Sequence, residues 1–548
     1  MFYLIRYLNL FYFYSMHKYI WLIGIFLLFT SCVSIKNYNE EITALHNPKD
    51  LHKDVDKAYR KLRKLHPKLY QFITKNDLDF KFDSLKKTIS YSMTSLDFYK
   101  KLAPVVSEVR QGHISLSPPS RKYKKNERKE LVKKKFEFYD LEFENVKDAF
   151  LVKANYGIDS TLIGDEVLKI NKEPIEKLIE DYKKMFSSDG YNTTFYDKFI
   201  ALRFSSFYFK DKGYLDSLSI TLKKQDSIYI KMLRRISKDS LGDKSKVKDS
   251  IGSEKMVKLS REEKKLKKDK IKIRQKNNLK YGYIKSKNIY TRNFDFIGKD
   301  SSIAYVQIRN FSNGKYKDFY KEVFQKIDSA STKNLIIDLR DNTGGRLDEI
   351  TNLYSYLIDE NFQFIEKAQS LTRIPFLKAF VSSKSSIFAN IAGVLSAPIT
   401  IPIELMRGSK KDGMLYYKLA SSRKNRKPND LNFKGDIYVL INGNSFSASS
   451  ILATNLKATH RATFVGEETG GHYNGTVAGV YKFVRLSTSK VMMNFGLLQI
   501  QSPYHNTENG YGIKPDIKII PTKADRLNNF DPELNWIFEH IENNSIFN

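Results

Sequence analysis

Three short segments hold residues able to do covalent chemistry. NLIIDLRDNTGG runs from Asn334 to Gly345, VLINGNSFSASSIL from Val439 to Leu452, and VGEETGGHYNG from Val465 to Gly475. In the first, the apolar run LIIDL has the composition of a buried parallel strand. Gly344 and Gly345 follow it and make a turn whose N–H groups can face a ligand. In the second, YVLIN is another buried-strand candidate, and SFSASSILATNLKA reads as a helix that opens on serines. A serine at a strand-to-helix junction presents its hydroxyl beside unpaired helix-terminal N–H groups, which favour a developing oxyanion. The chemistry of this set is attack by a serine oxygen. It needs a base, because a serine hydroxyl is a poor nucleophile until a positioned group takes its proton.

These motifs resemble those of the tail-specific, or C-terminal processing, serine peptidases and their tricorn-core relatives. IIDLRDNTGG is similar to the family's strand-plus-glycines element, and Ser447-Ala448-Ser449 to its nucleophile motif. The resemblance implies Ser447 as nucleophile and an oxyanion hole built from N–H groups of Gly344 or Gly345 and of Ala448. It implies a peptide or protein substrate, no cofactor and no metal. One position departs from the processing branch, which places a lysine base in the glycine-rich turn after the nucleophile helix; His472 stands there. The tricorn-like branch uses histidine, and SEVRQGHISLSPP, from Ser107 to Pro119, resembles the segment that carries it. This implies His113 as base, with His472 as the alternative. Histidine titrates near neutrality, as a base working at pH 7 requires. In that branch a serine and a glutamate assist the histidine. Gly112 occupies the serine's place, leaving Ser115 or a water to substitute. HNTENGYGIKPDI, from His505 to Ile517, resembles the late family segment and offers Glu508 as the glutamate, with Glu468 as competitor. Asp338 and Asp341, at the end of the first strand, are read as holding its turn.

The elements that must position these groups follow from periodicity and composition. The 548 residues are 41% apolar and 13% aromatic, enough for real cores and about three domains. The expected fold class is α/β: a peptidase core whose sheet is mostly parallel and flanked by helices (ClpP/crotonase-like), an N-terminal helical segment and a PDZ-like β-rich module. The segments are a signal peptide over 1–32, helices over 33–134 delivering His113, the module over 135–235, a basic insertion over 236–290, and the core over 291–548 with an insertion at 360–432. The module resembles a PDZ domain through Ile163-Gly164-Asp165-Glu166-Val167-Leu168 and Ile170-Asn171, which implies capture of an extended peptide on a strand edge. Within the later insertion, Ile387 to Met406 is nearly uncharged and about twenty residues long. Pro398 and Pro402 break its helix, so it reads as a lid or membrane-grazing loop rather than a span.

Net charge is +32, and a quarter of it sits in Ser253–Lys280, which holds twelve Lys/Arg against four Asp/Glu. The run lacks aromatics and reads as a solvated helix, with no specific nucleic-acid partner. At the other end, Met16-His17-Lys18 and the apolar core Tyr19–Phe29 precede Thr30-Ser31-Cys32. This resembles a bacterial lipoprotein signal, with Met16 as an alternative start and Cys32 as the lipidated residue. Cys32 is the chain's sole cysteine, so no intrachain disulfide forms. The expected location is the cell envelope, anchored to a bacterial membrane through lipidated Cys32, with the oligomeric state open. The expected function is that of an exported serine endopeptidase. Its alternatives are a catalytically inactive peptide-binding relative and a polyanion-binding surface protein.

Overall fold

A computed structural model of the protein describes residues 34–147, 149–157, 159–238, 261–298, 302–384 and 387–546. Cys32 and the signal-like segment 1–32 lie outside these residues, as do 239–260 of the basic stretch. The described part of that stretch holds a largely exposed helix, Arg261–Tyr281, followed by the short antiparallel pair Tyr283–Ile284 and Ile289–Tyr290.

The central six-stranded sheet runs in the order Arg292–Ile297, Ile303–Ile308, Asn334–Asp338, Asp436–Ile441, Thr463–Gly466 and Ile517–Lys518. Its first pairing is antiparallel and the others are parallel. Strand alternation sends Leu335, Ile337, Val439 and Ile441 into the main core, and Ile336, Tyr438 and Leu440 to the opposite face against Ile537 of the helix Pro532–Ile546. Both faces are thus covered, which is why these strands read as nearly continuous apolar runs.

Among the described strands, parallel ladders occur only in this central sheet, where four of the five pairings are parallel, and the other sheets are antiparallel. Short strands from the 360–432 insertion, Ala368–Ser370, Gly408–Lys411 and Met414–Tyr417, join the hairpin Thr476–Arg485/Met492–Ile500 and Ser115–Ser117 in a second, antiparallel sheet. A third, seven-stranded antiparallel sheet occupies residues 134–237 with the helices Ile175–Lys183 and Thr194–Lys212. It has its own apolar core, which Phe446 of the central domain enters.

The N-terminal helices do not form a unit of their own. Leu51, Leu62, Phe82, Phe98 and Leu102 belong to the same cluster as the central strands. Asp54, buried in the helix Pro48–Leu65, accepts hydrogen bonds from the backbone N–H groups of Ser487, Thr488 and Ser489 at the tip of the late hairpin. A buried carboxylate collecting several N–H groups is well compensated. It fixes residues 34–114 relative to the hairpin.

Arg292 and Glu349, both fully buried, hold the first strand to the helix Leu347–Ser355 that follows the two glycines. Arg292 also donates to the carbonyls of Ser312 and Asn313, and Glu349 accepts from Tyr320 and Arg346. Removing one member of a buried pair strands the other charge, at about 3–5 kcal/mol. Glu349→Ala is therefore expected to lower the unfolding free energy in urea by about that amount; a loss under about 1 kcal/mol would show that this pair does not hold the two elements together.

Candidate active site

The strand Asp436–Ile441 ends in a loop that turns into the helix Ala448–Ala458, with Ser447 at the N-cap. Ser447 adopts φ 58° and ψ −116°, a region that non-glycine residues occupy at a cost of about 1–3 kcal/mol. The surrounding bonds impose it. Ser445 donates to Leu339 O and accepts from Asn442 N, while Asn444 donates to Asp341 and to Lys198 O. Buried Asn342 ties the two motifs together. Its carbonyl accepts from Phe446 N (3.1 Å) and the Ser449 hydroxyl (2.8 Å), and its amide donates to Ile308 O (2.7 Å).

Asn342 Oδ1 also accepts from Gly344 N at 3.0 Å. The Gly344 N–H is therefore engaged, which corrects its assignment as an oxyanion donor. Its function is close approach: a Cβ there would lie 2.8 Å from Ala448 N, Phe446 O and Ser447 Cβ, and its φ is +101°. The N–H groups of Gly345 and Ala448 have no hydrogen-bond partner among the described residues. They are the donors left free beside the serine.

His113 arrives on the loop between the helix Ser95–Ser107 and the strand Ser115–Ser117, which is registered against Met492–Ile500 through the pair Ser115/Asn494. Its Nε2 lies 3.0 Å from Ser447 Oγ. Its Nδ1 lies 3.2 Å from the hydroxyl of Tyr481. With Nε2 free to accept the serine proton, Nδ1 carries hydrogen and donates to the Tyr481 oxygen. Burial pushes His113 down to about 4 and Tyr481 up to about 12, so near neutrality both are uncharged.

Gly112 has a steric reason to stand where the family carries serine. A Cβ at that position would lie 2.7 Å from the Phe446 ring. That ring stacks on Phe195 of the third sheet's domain at 4.5 Å and sits 4.9 Å from His113. The Gly112 N–H donates to Asp189 Oδ1 at 2.7 Å. Asp189 is 1% exposed, and burial raises it to about 6.

The remaining sequence candidates lie elsewhere. Glu508 pairs with Lys514 on the surface and does not touch His113, which corrects its assignment as the orienting acid. The cause is the docking of its loop: Gly510 N donates to His472 Nε2, and Gly510 O accepts from Tyr191 N, turning Glu508 outward. Glu468 accepts from Gly512 N (2.7 Å), and Ser115 donates to Asn494 (2.6 Å). His472 is buried with both ring nitrogens committed, Nε2 to Gly510 N and Nδ1 to Gly475 O, so it has no lone pair to offer Ser447. Asp338 holds Arg340 and Tyr305, and Asp341 holds Lys153, Asn442 and Asn444. Sequence reasoning missed Tyr481, Asp189, Asn342 and Phe446. Only Asn342, inside the RDNTGG turn, and Phe446, beside Ser447, carried a positional signal. Tyr481 is one aromatic among many in strand-like segments.

Residues 302–519 match the family described as "Peptidase family S41". A "Probable CtpA-like serine protease" of Staphylococcus aureus (strain N315) is 23% identical over 245 residues, 45% of this chain and 38% of that protein. A "Carboxy-terminal-processing protease" of Bartonella bacilliformis is 24% identical over 243 residues, 43% of each. The chain thus spans about two fifths of the length of these relatives. Mature CPAF complexed with lactacystin superposes with a TM-score of 0.58 at 15% identity, over 90% of this chain and 98% of that one. At that identity the likeness is one of fold. The glycine-glycine turn, the serine elbow and the late strands all lie inside the span that matches peptidase family S41.

Proposed function

We propose that this protein is a serine endopeptidase that cleaves peptide bonds of proteins or peptides, with Ser447 as nucleophile and His113 as general base. The observation that carries this reading is the 3.0 Å approach of His113 Nε2 to Ser447 Oγ, across a sequence separation of 334 residues. Ser447 Oγ attacks the scissile carbonyl carbon as His113 Nε2 takes its proton, and the carbonyl π electrons move to oxygen. The N–H groups of Ala448 and Gly345 stabilise that oxyanion. Its collapse breaks the C–N bond, and the leaving amine takes the proton from His113. A water, deprotonated by the same nitrogen, then hydrolyses the ester and restores the serine.

Tyr481 supplies what a carboxylate supplies in the familiar triad: it selects the tautomer with hydrogen on Nδ1 and fixes the ring. Being neutral, it does not raise the basicity of His113. The domain of residues 134–237 is read as PDZ-like, presenting a strand edge to an extended peptide. Lipidation at Cys32 would hold the enzyme at a bacterial membrane in the cell envelope.

The lack of any carboxylate contact to His113 among the described residues favours the second reading, an inactive peptide-binding relative. A serine-directed fluorophosphonate probe separates the two. Labelling of the folded wild type that disappears in Ser447→Ala supports the peptidase, whereas an unlabelled wild type supports the binder.

Two predictions concern the relay. Tyr481→Phe is expected to lower kcat/KM about 10- to 100-fold, the value of one hydrogen bond to a developing charge, with KM little changed. Unchanged kcat would remove Tyr481 from the relay. Catalysis also needs neutral His113, whose affinity for protons burial has depressed. Activity is therefore expected to persist as pH falls below 6.5 and to fail on a limb near pH 4. A limb near 6.5 would mean a solvated imidazole in the working enzyme.

A further inference from the structure

The 360–432 insertion contains two apolar helices, Ile387–Leu395 and Ala397–Arg407, bent by 70°. No charged residue occurs from Ile387 to Ile403. Their large side chains face solvent: Val394 is 62% exposed, Leu395 74%, Ile399 70% and Met406 79%. The first charge reached, Glu404, is turned inward, where its carboxylate accepts from the N–H groups of Phe376 (2.9 Å) and Leu377 (2.8 Å) and caps the helix Pro375–Phe380. The exposed surface of the described hairpin is therefore uncharged up to Arg407 and dominated by large apolar side chains. Contiguous apolar surface of this kind is uncommon on a protein that meets only water.

Geometry and charge decide what covers it. Helices of 9 and 11 residues are about 14 and 17 Å long, near half of the ~30 Å hydrocarbon thickness of a bilayer. Among the described residues no single helix is long and apolar enough to cross a membrane. Exposed cations frame the bend: Lys378 and Lys384 before it, Arg407, Lys410 and Lys411 after it, against the one exposed acid Asp412. Apolar tips with cationic feet suit insertion into one leaflet with the feet among anionic headgroups. A second copy of the chain fits worse, because a two-fold interface would set this cationic frame against itself.

We propose that the Ile387–Arg407 hairpin is a membrane-docking wedge that inserts its apolar bend into one leaflet of an anionic phospholipid surface. This contact is independent of lipidation at Cys32. It also lies close to the catalytic relay. Lys482 donates to the carbonyls of Lys378 (2.7 Å) and Val381, and Ser383 N donates to Phe483 O (3.1 Å). The base of the wedge is therefore bonded to the two residues that follow Tyr481, whose hydroxyl meets His113. Gly393 locks the first apolar helix onto this base: a Cβ there would lie 2.5 Å from the Phe380 ring.

The test uses the full chain with Cys32→Ser, which removes its only thiol, and Leu395→Cys carrying an environment-sensitive dye. Retained fluorophosphonate labelling or an unchanged circular dichroism spectrum reports the fold. Phosphatidylglycerol-containing vesicles are expected to brighten and blue-shift the dye several-fold, and lipid-borne quenchers to extinguish it. The same dye at the exposed remote site Tyr91→Cys should not respond. Adding Lys384→Glu and Arg407→Glu should raise the lipid concentration for half-maximal response by about tenfold or more, and purely zwitterionic vesicles should give the same weakening. Three outcomes overturn the proposal: a silent dye while the protein floats with vesicles, a response indifferent to lipid charge, or a dye shift that needs no lipid and grows with protein concentration.

Discussion

The strained backbone at Ser447 is the constraint on which the site depends. A serine at φ 58° and ψ −116° relaxes unless its neighbours forbid it, and here they do so from both sides. Asn342 binds the residue before Ser447 and the second residue after it, while its own amide is pinned to Ile308. Gly344 presses against the serine from the opposite turn, where any side chain would collide with Ala448 N. The two motifs are thus one mechanical object, and the free N–H groups of Gly345 and Ala448 arise from the same bonds that hold the elbow. Preorganised donors of this kind need no reorganisation when charge develops, which is what makes them effective.

Phe446 extends that object into the rest of the molecule. Its backbone is part of the elbow, yet its ring belongs to the core of the domain at 134–237 and lies between Phe195 and His113. The pairing of His113 with Ser447 therefore rests on packing contributed by a separate domain. Asp189 adds a second strut from that domain by receiving the Gly112 N–H. Because Phe446 fills the space beside Gly112, a serine there is excluded, and the support of the imidazole passes to Tyr481 on another strand. A carboxylate in contact with Nδ1 would favour the imidazolium; a phenol fixes geometry while leaving the ring neutral and weakly basic.

What was legible in the sequence is what local chemistry determines. The strands LIIDL and YVLIN show as apolar runs because both faces of their sheet are covered, and the glycines and serines that follow show because a close turn admits little else. His113 was reachable only through its motif, since nothing local in RQGHIS says that it meets a serine 334 residues later. Glu508 misled because its motif is in place while its loop is not: the contacts of Gly510 with Tyr191 and His472 decide where the carboxylate points, and they join segments far apart in the chain. The second sheet was invisible for a related reason. Its strands from the insertion are only three or four residues each, too short to show alternation, and they join the late hairpin only through Ala368–Ser370.

That hairpin explains how one element can serve two surfaces. Between Ala478 and Tyr481 its register shifts, with Gly479 at φ +76°. A bulge at this point adds local twist and re-aims the residues that follow. Tyr481 is then delivered to the imidazole, while Lys482 reaches the carbonyls at the base of the insertion. Lys482 makes those bonds in a setting where burial, with Lys61 and Lys378 nearby, depresses it to about 8, so its ammonium depends on the helix carbonyls that receive it. Loosening the helix Pro375–Phe380 would remove those acceptors and free the segment next to Tyr481. The insertion is thus hydrogen-bonded to the residue that follows Tyr481 in the chain.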